Sequence, residues 1–125
     1  MPKSIEIFSG YWTVNDVKNN RNKLFVFGDN NIKSGTGGQA VIRNEENTIG
    51  IPTKKLPNND KNSYYTDSEF DDNKNNIDLA INSLLKKFMK DKYEVLILPE
   101  YGLGTGLANL PKKAPKTFEY LENKI

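Results

Sequence analysis

The chain has 125 residues, enough for one domain with a core and too few for two, and 36% of them are apolar. It contains neither cysteine nor histidine, which excludes disulfides, thiolate or imidazole zinc sites, and nucleophilic systems built on Cys–His or Ser–His–Asp. Net charge is only +2 with lysines and acids interleaved, so no charge-driven nucleic-acid binding is expected, and no segment approaches the ~20 apolar residues of a membrane span.

In chain order, Ser4–Phe8 reads as a short strand with Ile5 and Ile7 on one face, broken at Ser9-Gly10. The segment from Tyr11 to Asn22 is polar and ambiguous, with one helical turn at Asp16-Val17-Lys18. Lys23–Phe27 is a continuous apolar run, the pattern of a strand buried on both faces, and it ends at Gly28-Asp29-Asn30. Ser34-Gly35-Thr36-Gly37-Gly38 then opens a short helical stretch, Gln39–Arg43, and Thr48–Ile51 is a strand ended by Pro52. A polar loop from Lys55 to Asn62 leads to the clearest helix, about Ser68 to Lys90. There Ile77, Ala80, Ile81, Leu84, Leu85 and Phe88 keep the three-and-four spacing of one apolar face. Thr66-x-x-Glu69 and Ser68-x-x-Asp71 fit capping boxes at its start. Tyr93–Leu98 is a second buried strand, ended by Pro99, and Pro111 to Glu122 closes the chain as a helix packed through Phe118 and Leu121. Strands alternating with helices predict one α/β domain over residues 1–125.

Six of the nine glycines fall in two stretches, each after a buried strand: Gly35, Gly37 and Gly38, then Gly102, Gly104 and Gly106. In open α/β sheets ligands sit beyond the carboxyl ends of the strands. Glycine there lets backbone N–H groups approach phosphate oxygens with no Cβ in the way, and a following helix adds the dipole of its amino end. Neither stretch matches a Walker A loop or the dinucleotide fingerprint, so the phosphate reading rests on geometry alone. The plainer reading is that these glycines only turn the chain.

Val26-Phe27-Gly28-Asp29-Asn30-Asn31 followed by Gly35-Thr36-Gly37-Gly38-Gln39-Ala40 resembles the first ligand loop of macrodomains, which bind ADP-ribose. Leu98-Pro99-Glu100-Tyr101-Gly102-Leu103-Gly104-Thr105-Gly106-Leu107 resembles that family's phosphate-holding loop. Between them, Pro52-Thr53-Lys54-Lys55 is similar to the strand-end Thr-Lys-Lys of macrodomains that remove ADP-ribose from carboxylates or DNA bases. The resemblance implies a three-layer αβα sandwich with a mixed central sheet and an ADP-ribose cleft across the strand ends. The first loop, with Asn30, Asn31, Gly35, Gly37, Gly38 and Gln39, would then hold the distal ribose, and the second, with Gly102, Leu103, Gly104, Thr105, Gly106 and Leu107, the diphosphate, while Thr53 would also touch the ligand. Two departures stand out. Phe8-Ser9-Gly10-Tyr11-Trp12 replaces the adenine-reading Gly-Asp-Ile/Leu, leaving Tyr11 or Trp12 to stack on a base, and Ala108 stands where the acid of a Lys–Asp pair would be.

The expected activity is therefore capture of an ADP-ribose-type nucleotide, including a cyclic or modified relative, by a cytoplasmic reader or sponge. The partner is that nucleotide or an ADP-ribosylated macromolecule, and no membrane, metal or cofactor is called for. The alternative is an ADP-ribosyl glycohydrolase in which Lys54 attacks the ribose or stabilises its ring-opened form and Asp29 or Glu100 serves as base. A third reading is a protein-interaction module with structural glycine loops. The sequence leaves the base, the fate of the ligand and the oligomeric state open.

Overall fold

A computed structural model describes residues 3–125. Its core is a four-stranded sheet of β1 (Ser4–Phe8), β2 (Lys23–Asn30), β3 (Thr48–Lys54) and β4 (Val95–Pro99), in the order β1-β4-β2-β3. Every strand pair is parallel, which corrects the expected mixed sheet. Each return between strands passes through helical or looped chain instead of a tight hairpin, the connection a parallel neighbour needs. One isolated antiparallel bridge, Lys54 to Tyr64, joins the tip of β3 to the loop that follows it.

The continuous apolar run of β2 is explained by its central position. Leu24 and Val26 point to one core with Ile77, Leu84 and Leu121, while Phe25 and Phe27 point to another with Trp12, Val17 and Ile42. On the first face lie α2 (Phe70–Phe88) and α4 (Pro115–Lys124); the second is covered by α1 (Val14–Lys18) and a 3-10 helix, Gly38–Ile42. Ile5 and Ile7 do share a face, in register with Leu96 and Leu98, but on edge strand β1 both remain 60% exposed. Strand β3 runs through Pro52 to Lys54, beyond the expected stop, because an edge strand tolerates a missing N–H.

The helix starts are built differently from expectation. Thr13 and Asp16 form the capping box, on α1. At α2 the acids do another job: the Asp67 carboxylate accepts the backbone N–H groups of Lys116 (3.0 Å) and Thr117 (3.1 Å), capping α4 across the layer. The closing helix is split into α3 (Leu110–Lys113) and α4 at Ala114, whose φ of −148° precedes Pro115. These contacts seat α4 against α2 and the turn before it.

Candidate functional site

Both glycine-rich segments border one cavity of about 870 Å³ at the carboxyl ends of β2, β3 and β4. Gly35, Gly37, Gly38, Gly104, Thr105, Gly106 and Leu107 line it, together with Asn30, Gln39 and Thr53. Gly102, Leu103 and Asn31 do not line it. Leu103 is buried in the core, the Gly102 carbonyl accepts from Gln39, and the Asn31 side chain accepts from the Tyr65 hydroxyl beside a separate polar hollow.

The two loops are fixed by sequence features that also limit what their residues do. Asn30 folds its amide over the next turn, donating to the Ser34 carbonyl (2.7 Å) and accepting from the Ile32 and Ser34 N–H groups. Gln39 spans both loops: its oxygen accepts from Gly28 N–H (2.8 Å) and its nitrogen donates to the Gly102 carbonyl (2.9 Å). The amide is thus consumed inside the protein, and Gln39 shapes the cavity instead of presenting that amide to a ligand. The second loop is pressed so tightly that a Cβ on Gly104 (φ +79°) would lie 2.9 Å from the Leu110 Cβ and 3.0 Å from the Thr53 Cβ. The segments after the loops are a five-residue 3-10 helix and a four-residue α3, too short to present the helix dipole that the sequence reading assigned them.

The charges sort into a pair and a remainder. Asp29 is buried and held by Arg43, whose Nη1 donates to Oδ2 at 3.0 Å, while Nε donates to the Gly35 carbonyl at 2.7 Å. Room for the Asp29 carboxylate comes from Gly50 on β3, where a Cβ would sit 2.4 Å from Oδ2. A carboxylate paired in this way anchors the first loop. Lys54, by contrast, is 7% exposed, and its side chain makes no ion pair or hydrogen bond among the described residues. Its ammonium lies 4.7 Å from the Tyr64 ring centre, with Lys113 at 4.8 Å from the same ring, and burial pushes it below the ordinary lysine value. With Asp29, Arg43 and Lys54 as its charged lining, the cavity carries one excess positive charge and suits an anion.

Two expectations fail here. Glu100 lies outside the cavity, and its Oε2 accepts the Gly10 N–H at 2.7 Å, tying the ends of β1 and β4 together. Trp12 borders the cavity but is only 7% exposed, in edge-to-face contact with Phe8 and Phe25 and with its Nε1 donating to the Gln39 carbonyl, so most of its ring is spent in the core. Tyr11 stands free at the rim beside Tyr101, a lining residue that the sequence reading passed over. Arg43 was passed over as well. Its signal was available: it is one of only two arginines in a chain whose other cations are lysines, and a planar fork is what a bidentate carboxylate needs.

A family model described as a family of unknown function (DUF7831) matches residues 7–124. No curated protein and no solved structure matches the chain.

Proposed function

The chain belongs to the DUF7831 family, of unknown function, and we propose that it binds an ADP-ribose-type nucleotide in the cavity at the strand ends. The observation that carries this reading is the convergence of both glycine-rich segments on one cavity with an excess positive charge. Backbone groups of Gly104–Gly106 and Gly37–Gly38 would take the diphosphate, which needs close approach by main chain without Cβ atoms. A volume of about 870 Å³ suits a ligand of dinucleotide size. The macrodomain resemblance of the same segments, and of Thr53-Lys54-Lys55 on the tip of β3, points to ADP-ribose among such ligands.

Calorimetric titration with ADP-ribose tests this directly, and Gly106→Glu is the informative variant. Nothing lies within 4 Å of a Cβ at Gly106, so the protein keeps its fold while a carboxylate enters the phosphate path. Binding to the natural chain, with a loss of roughly 100-fold in the variant, is the expected result for one charge-assisted contact turned into repulsion. Equal binding by a folded Gly106→Glu protein would remove the second loop from the site.

One observation favours hydrolysis as a second reading: Lys54 is buried in the cavity wall without a counter-ion, which favours the neutral, nucleophilic amine. In that reading no carboxylate among the described lining residues is free to act as base, since Asp29 is paired with Arg43. Chromatography of the ligand after titration separates the two. ADP-ribose linked to a carboxylate and recovered intact would leave capture alone, whereas release that vanishes in Lys54→Ala would establish cleavage.

A further inference from the structure

We infer that Tyr11 and Tyr101 form a stacking platform for the planar base of the ligand, and that this platform accepts purines without reading which purine it holds. The inference rests on the nucleotide reading above and deepens it. Tyr11 follows β1 and Tyr101 follows β4, and these neighbouring parallel strands bring the two residues to one edge of the cavity. Their ring centres are 5.4 Å apart with 31° between the planes. Tyr11 is 86% exposed and Tyr101 52%, although an aromatic ring normally contributes to stability through burial. Two large rings held in water at the mouth of a cavity make an apolar surface with no intramolecular task.

The backbone around the pair is built to hold it there. Gly10 (φ +78°) and Gly102 (φ +82°) turn the chain immediately beside the two tyrosines. The Gly10 N–H to Glu100 contact clamps one loop to the other, and Trp12, next to Tyr11, is anchored through its indole N–H. Gly104–Gly106 lie on the same loop as Tyr101, so a diphosphate seated on them leaves an attached nucleoside within reach of the rim.

Two polar side chains flanking the pair are already engaged within the protein. Glu100 Oε2 is taken by Gly10, and the Thr105 hydroxyl donates to the Tyr101 carbonyl at 2.6 Å. Stacking with no edge contact discriminates by ring area and not by donor and acceptor pattern. Adenine, guanine and hypoxanthine are therefore held alike, and a pyrimidine less well.

The test is titration of the full chain with ADP-ribose, GDP-ribose, CDP-ribose and base-free pyrophosphate, repeated on the Tyr11→Ala/Tyr101→Ala protein and on Tyr11→Trp. The natural chain should bind ADP-ribose and GDP-ribose within about 3-fold of each other, and CDP-ribose more weakly. The double alanine protein should lose roughly 10-fold or more for the purine ligands, the range of one lost base–aromatic stack, while keeping its affinity for pyrophosphate. Tyr11→Trp should retain purine affinity. Undiminished ADP-ribose binding in the double variant, or a preference of 10-fold or more for one purine, overturns the platform and leaves the diphosphate site standing. Failure of every compound, pyrophosphate included, to bind the natural chain overturns the nucleotide reading and this inference with it.

Discussion

The two glycine-rich segments are alike in composition and opposite in how they are held. The first, after β2, is fixed by polar side chains: Arg43 grips the Gly35 carbonyl while paired with Asp29, and Asn30 closes the turn onto Ser34. The second, after β4, is fixed by packing: Gly104 is wedged between Leu110 and Thr53, and the Leu110 N–H donates to its carbonyl at 2.7 Å. A loop held by charges fails when an ion is left alone, and a loop held by fit fails when an atom is added. Similar sequence cues therefore hide different sensitivities.

The largest effect should come from Arg43→Met, which leaves the Asp29 carboxylate buried without a partner and costs about 3–5 kcal/mol. Urea unfolding measures it, and a loss below about 1 kcal/mol would mean that the first loop does not depend on this pair. Next is Gly104→Ala, where an added methyl against Leu110 and Thr53 and a positive φ together cost about 2–4 kcal/mol by the same assay. An unchanged midpoint would show that the second loop yields to the methyl and is not held by fit.

Lys54→Met should act in the other direction, raising stability by up to about 1 kcal/mol at neutral pH, because a partly desolvated ammonium without a counter-ion is replaced by an apolar chain of similar length. Its pH dependence has a defined sign. The native ammonium titrates below the ordinary lysine value, so between that point and the unfolded lysine value the unfolded chain binds more protons and stability climbs with pH. That climb should be absent in Lys54→Met; its persistence would assign the rise to another group. The smallest effect is expected for Gly106→Ala, below about 0.5 kcal/mol, since no atom lies within 4 Å of the new methyl. Gly104→Ala and Gly106→Ala, two residues apart, thus distinguish a glycine required by the fold from one left free for a ligand.

Much of the fold was legible because periodicity reports burial. The Lys23–Phe27 run implied a strand covered on both faces, and the spacing from Ile77 to Phe88 gave α2. Strand direction was not legible: apolar runs say how deeply a strand is buried, and the parallel sheet emerges only from where the connections lead. The acidic run illustrates a local signal answered by a distant group. Asp67 sits where an α2 cap would be, yet the amides it receives belong to residues 116 and 117. In the candidate site, the glycine segments and Lys54 were visible as chemistry at strand ends. The roles of Trp12, Gln39 and Glu100 were not, since aromatic, amide and acid side chains serve packing and loop closure as readily as ligands, and only their neighbours decide between the two.

Gln39 joins Gly28 of β2 to Gly102 in the loop after β4 by the two ends of one planar amide. A strut of that kind ties the position of the loop after β4 to strand β2 beneath it. Widening the cavity between strand and loop would therefore require at least one of these hydrogen bonds to break. A cavity wall whose position is set by one side chain is the consequence of that amide.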